Sequence, residues 1–139
     1  MKHKKIGNKY IIRIDRGEKI IEQMKKFIQK EKIDSGVFKG IGAVSHVTLE
    51  FYSFEEKEYI EQNFKQDMEI TSVIGNVSKF QNEIVVHAHI NLADKDMNVK
   101  GGHLKEGIVG GTCEIFFETL NKKIYRKKDE ETNLNLLEL

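Results

Sequence analysis

One stretch of this chain repeats apolar residues at helical spacing, and the clear apolar patterns elsewhere alternate like strands. Ile20, Ile21, Met24, Phe27 and Ile28 fall at i, i+1, i+4, i+7 and i+8. That spacing puts all five on one side of a helix, with Glu22, Gln23, Lys25, Lys26 and Lys30 elsewhere on its surface. Asp15 followed three residues later by Glu18 reads as a capping box, so the spacing predicts a helix from about Gly17 to Lys32. A helix with one apolar stripe has to pack it on something, and the remaining chain offers mainly strands.

Tyr10 to Ile14 is a short β-type run that ends at Asp15. Val47, Leu49 and Phe51 alternate with His46, Thr48 and Glu50, the period of a half-buried strand. Further strands are expected at Glu58 to Phe64, Met68 to Ile74, Ile84 to Leu92, Thr112 to Leu120 and Lys123 to Arg126, with Asn121 and Lys122 as a tight turn between the last two. Gly40-Ile41-Gly42 is too short for a dinucleotide fingerprint and fits a bend or close backbone approach within a strand. The fold class that follows is α+β, a mainly antiparallel and partly closed sheet with one principal helix packed on it. Residues 1–139 are expected to form a single domain. The leucines at 134, 136, 137 and 139 imply a tail that docks rather than hangs free.

The charge balance argues against a dedicated nucleic-acid binder, because 23 basic and 22 acidic side chains leave a formal charge of only +1. The one cysteine, Cys113, has no internal disulfide partner and sits in a strand-forming run, where a small buried hydrophobe is expected rather than a nucleophile. The basic N-terminus is not followed by an apolar signal core, and no stretch reaches the roughly 18 to 20 apolar residues of a membrane span. A reducing, cytoplasmic setting is therefore expected.

The chemistry concentrates in one strand and the segment after it. Ile84, Val86, Ala88, Ile90 and Leu92 mark its apolar face, and parity places His87 and His89 together on the other. Side chains two apart on a strand lie about 6 to 7 Å apart at the backbone, close enough for two imidazoles to converge on one ion. Asp94-Lys95-Asp96 is turn-forming, and Gly101-Gly102 leads into His103. Five of the eleven glycines fall between Gly101 and Gly111, so this segment is expected to fold back and present a third imidazole. Three neutral imidazoles with one open position is the arrangement of a catalytic zinc site. The alternative is that these histidines are solvated, or hydrogen-bonded to neighbours such as Glu83 or Glu114. His46 and His3 lie apart from the group and are expected to be surface or structural. Glu69, Glu83, Glu114 and Glu118 are candidate bases that the sequence does not rank. No Ser-His-Asp arrangement, Walker loop or Cys-x-x-Cys pair is present, which leaves a nucleophilic enzyme unsupported.

Three motifs in order, Glu69-Ile70-Thr71-Ser72-Val73-Ile74-Gly75-Asn76-Val77-Ser78, then Val86-His87-Ala88-His89, then Gly101-Gly102-His103-Leu104-Lys105-Glu106-Gly107, resemble the plants-and-prokaryotes conserved (PPC) domain in its stand-alone prokaryotic form. The resemblance runs from about Tyr10 to Leu139. It implies an antiparallel sheet with a helix against it and assembly as a homotrimer. It also implies that the histidines at 87, 89 and 103 gather near the subunit boundary, where zinc is the expected cofactor and a small-molecule ligand the expected partner. In plants the domain follows an AT-hook, and bacterial relatives often carry a DNA-binding label. This chain has no proline and so no Arg-Gly-Arg-Pro core, which removes that route to the minor groove. The Asp-Gly turn usual before the histidine strand is replaced by Gln81-Asn82.

Three functions compete at this stage. One is a trimeric metal-binding protein with a small-molecule site. Another is an oligomeric interaction or regulatory module with structural histidines. The last is direct DNA binding through a basic patch built from Lys2, Lys4 and Lys5 or from Arg126, Lys127 and Lys128.

Overall fold

The computed structural model describes residues 1–139. In chain order the elements are β1 (Lys2–Ile6), β2 (Lys9–Asp15), α1 (Ile20–Lys30), β3 (Gly36–Ser53), β4 (Glu58–Phe64), β5 (Met68–Phe80), β6 (Glu83–Ala93), β7 (Val99–Thr119), β8 (Arg126–Lys128) and β9 (Asn135–Leu137). Seven strands form one antiparallel sheet in the order β1-β2-β7-β6-β5-β3-β4, and β7 also pairs with β3. That extra pairing joins β3, β5, β6 and β7 into a ring, while β1, β2 and β4 stay outside it. The sheet is thus partly ring-closed and not a barrel.

Ring closure depends on two long strands that bend. Register shifts punctuate the β3–β7 ladder between Gly42 and Val44, Val44 and His46, and Thr48 and Leu49. At Gly42 the two backbones come so close that a Cβ would collide with the Thr112 carbonyl and stand 2.7 Å from Cys113 Cα. The Gly40-Ile41-Gly42 run thus serves the close approach expected of it. Beyond Leu49 the β3–β4 ribbon leaves the core, and Phe51 is 68% exposed although the alternation predicts it inside with Val47 and Leu49.

The helix lies against the sheet by its apolar stripe, and all five predicted residues are buried. Each such side chain contributes about 1.5–3 kcal/mol when removed from water. Phe27 is the hub, with ring centroids 5.0 Å from Tyr10 and 5.6 Å from Phe117. The helix starts at Ile20 rather than Gly17 because the residues before it pair with β7: Gly17 N–H donates to the Val109 carbonyl, and Val109 N–H donates to that of Glu18. Only half of the capping box forms, with the Glu18 carboxylate accepting the Asp15 N–H at 2.8 Å. The helix itself is capped from β7, where Glu106 accepts the N–H groups of Ile21 (2.9 Å) and Glu22 (3.2 Å). A carboxylate there satisfies orphan donors and faces the positive end of the helix dipole.

One expectation needs correction. Asn121 and Lys122 do not turn a hairpin, because Lys123 is not in a strand; Ser35 Oγ donates to the Lys122 carbonyl and Leu120 N–H donates to that of Ser35, tying the segment to the end of α1. The C-terminal hairpin forms instead between β8 and β9. The glycine-rich stretch from Gly101 to Gly111 folds back onto β6 as expected, as part of the 21-residue strand β7. The turn that returns the chain is Asp94 to Asn98, where the Asp94 carboxylate accepts the N–H groups of Asp96 and Asn98. Gln81 and Asn82 do turn the β5–β6 hairpin, both at positive φ.

Removing the remote cap tests how the helix is anchored. Glu106→Ala should lower stability to urea by about 1–2 kcal/mol, the range for a lost N-terminal cap, and Glu106→Gln by less. An unchanged midpoint for Glu106→Ala would show that solvent replaces the carboxylate at no cost.

Candidate metal centre

Strand pairing assembles the histidine cluster. His87 and His89 share a face of β6, and His89 stands directly opposite His103 in the β6–β7 register. Gly101 makes that register possible, since a Cβ there would stand 2.9 Å from the Ile90 carbonyl oxygen and collide with Asn91. The three ring centroids are 5.1–5.4 Å apart, and one ring nitrogen from each lies within 4.8 Å of the others. Ligand nitrogens around a tetrahedral zinc ion sit about 3.3 Å apart, so modest ring rotation suffices to share one ion.

The electrostatics favour the neutral form of His87 and His103. Burial pushes the pKa of His87 down to about 4, with the Arg126 charge acting in the same direction. Burial also lowers that of His103, partly offset by the Glu50 carboxylate. Neutral imidazole is the form that binds metals. His103 Nε2 lies 3.6 Å from Glu50 Oε2, and its Nδ1 is buried without any hydrogen-bond partner. A carboxylate facing one ring nitrogen, with the other nitrogen unsatisfied, is how proteins orient a ligating histidine. The three residues therefore fit a metal ion chemically.

Two residues that complete the site were not legible as such. Glu50 occupies a polar position of β3 and is held by Lys105 at 3.4 Å. Arg126 belongs to a basic run that reads as solvated surface, yet its guanidinium turns inward. Its Nε donates to Ser78 Oγ (2.7 Å), Nη1 to the Asn135 carbonyl (2.7 Å), and Nη2 to Asn76 Oδ1 (2.8 Å) and His87 Nδ1 (3.2 Å). It is thus withdrawn from the basic patch considered for DNA. Neither Glu83 nor Glu114 is hydrogen-bonded to the cluster, and Glu118 reaches only the wall of a neighbouring cavity.

Two cavities adjoin the histidines. One of about 770 Å³ is lined by His87 and His89 with Ile11, Val37, Ile74 and Phe116. The other, about 360 Å³, is lined by His87, His103, Arg126, Tyr59, Leu134 and Leu136, which is where part of the leucine-rich tail docks. His46 is exposed, and His3 bonds to Glu31 at 3.1 Å and packs on Phe27, so both stay outside the site as expected. Cys113 is fully buried and its thiol is pushed up to about 12, which rules it out as a nucleophile. No helix is long and apolar enough to cross a membrane.

The sequence matches the family model of the Plants and Prokaryotes Conserved (PCC) domain over residues 1–121. A solved structure from Bacteroides thetaiotaomicron, provisionally named a DNA-binding protein, is 33% identical with a TM-score of 0.96 over 99% of this chain and 96% of that one. A plant- and prokaryote-conserved (PPC) protein from Pyrococcus horikoshii is 37% identical, TM-score 0.89, over 96% and 92% of the two chains. A metal-containing protein from Archaeoglobus fulgidus is 32% identical, TM-score 0.89, over 97% and 96%. No curated protein matches the sequence.

The surroundings of two rings favour tautomers that can be observed. A guanidinium only donates, so His87 Nδ1 accepts from Arg126 and its ring proton sits on Nε2; the Glu50 carboxylate, 3.6 Å from His103 Nε2, favours the tautomer protonated there. Long-range ¹H–¹⁵N spectra at pH 7, recorded on protein stripped of metal, should show both rings neutral and protonated at Nε2. Protonation at Nδ1 in His103 would contradict the role given to Glu50.

Proposed function

Because the chain belongs to the plants and prokaryotes conserved domain family, we propose that it is a homotrimeric metal-binding protein with a small-molecule site, in which His87, His89 and His103 hold one divalent ion, zinc first among the candidates. The observation that carries this reading is the convergence of one ring nitrogen from each histidine within 4.8 Å of the others, in a cluster whose His103 Nδ1 is buried without a partner. The metal-containing relative from Archaeoglobus fulgidus supports it. When bound, such an ion supplies Lewis acidity and can acidify a bound water. This chain's part is to hold His87 and His103 neutral and to orient His103 through Glu50.

The trimer draws support from the outer face of the sheet. Ile11, Phe116, Lys39, Ile74 and His89 stand in one row of directly paired residues across β2, β7, β3, β5 and β6. Ile11, Phe116 and Ile74 in that row are 40%, 57% and 59% exposed, and Val37 and Ile41 extend the apolar area. Contiguous apolar surface of this kind marks an association site. His89 ends the row, so burial of the face against another copy would bring a subunit boundary to the histidines.

A second reading is DNA association with structural histidines, and what favours it is the provisional name of the Bacteroides relative. The formal charge of +1 and the inward turn of Arg126 weigh against it. Phosphate contacts would reveal themselves by affinity falling steeply with added salt.

Untagged protein purified without chelator should contain close to one transition-metal ion per chain by elemental analysis, and a His87→Ala/His89→Ala variant should contain little. An absence of metal even after incubation with zinc would overturn the metal site. Light scattering should give three times the 16.1 kDa chain mass, reduced to one chain by Phe116→Asp or Ile74→Asp. A monomeric natural chain would rule out the assembly.

A further inference from the structure

Arg126 is a half-buried cation with four hydrogen-bond partners, and one of them cannot be kept if the histidines hold a metal. His87 Nδ1 now accepts from Arg126 Nη2. A metal bound through Nδ1 uses that lone pair, and a metal bound through Nε2 moves the ring proton to Nδ1. Either way the nitrogen stops accepting, and an Arg126 N–H is left without a partner. One Nη1 hydrogen is already unused, since a guanidinium offers five N–H donors and four are engaged. A buried donor left unsatisfied is costly, more so on a charged group.

The surroundings say what would satisfy it. Ser78, Asn76 and the Asn135 carbonyl fix the guanidinium in place without neutralising it. The Glu50 carboxylate is paired with Lys105 and faces His103. The cavity of about 360 Å³ in front of Arg126 has apolar walls in Val86, Leu134, Leu136 and the rings of Tyr52 and Tyr59, and the oppositely charged neighbours Lys57 and Glu58 also line it. Planar forks of donors recognise carboxylates, and apolar walls recognise a hydrocarbon body. Arg126 also lies beyond residues 1–121, the part matched by the family model.

We propose that this cavity binds a small organic carboxylate, with Arg126 holding the carboxylate beside the histidine cluster and the leucines of the C-terminal hairpin covering its apolar end. The assignment rests on the metal reading for the change at His87, and the two can fail separately.

Isovalerate and its neutral isostere isovaleramide are suitable probes, titrated by calorimetry into the zinc-supplemented natural protein. The acid should bind at least tenfold more tightly than the amide. The Arg126 Nε–H resonance should shift with the acid only. Arg126→Met should weaken isovalerate binding at least tenfold per metal-loaded chain, and Arg126→Lys, which keeps the charge but not the fork, should recover part of it. Equal binding of acid and amide, no binding of either, or full binding by Arg126→Met would overturn the proposal. Should Arg126→Met fail to fold, the acid–amide comparison and the resonance shift on the natural chain still decide. Metal content measured on the same samples separates the two ideas: without metal, the metal centre falls, and isovalerate binding that shifts the Arg126 resonance still upholds the carboxylate site.

Discussion

The pairing of β7 with three other strands is the constraint on which the rest of the molecule depends. Along its 21 residues β7 bonds to β6 at one end, to β3 through most of its length and to β2 at the other end. The β3 ladder closes the ring, and Glu106 on the same strand caps the helix. Phe117 near its far end packs on Phe27 of α1, and His103 near its start completes the histidine cluster. Core, helix and site therefore share one piece of backbone, and a shift of register in β7 would disturb all three at once.

The site sets a half-buried positive charge and a half-buried negative charge beside the histidine rings. Arg126 depresses the basicity of His87, and Glu50 works the other way on His103. The two groups thus treat two of the histidines differently although the three rings are nearly equidistant. Each charged group is itself anchored, Arg126 by Ser78, Asn76 and Asn135 and Glu50 by Lys105. Such anchoring fixes both charges beside the rings.

What could be read from the chain was what depends on local periodicity. Strand parity put His87 and His89 on one face, and helical spacing picked out the five buried residues of α1. Glycine placement named His103, and the close ladder that Gly101 allows between β6 and β7 brings that ring to the other two. What could not be read depends on partners far away in sequence. The helix start moved because β7 captures residues 17 to 19, and Phe51 came out because β3 runs past the core. Glu50 and Arg126 gave no local signal, since a polar strand position and a basic run look like solvated surface until the tertiary contacts form. The Asn121-Lys122 turn failed for the same reason, as Ser35 holds that segment elsewhere.

The short span of chain between the histidines has a bearing on the order in which the molecule comes together. His89 and His103 are fourteen residues apart and joined by one five-residue turn. Closing so short a loop costs little conformational entropy, whereas β3 must find β7 across fifty or more residues. The three rings can therefore meet while the ring of strands is still open. Glu50 and Arg126 reach them only through long-range pairing, so the nascent chain could capture an ion before it acquires any means of choosing what lies beside it.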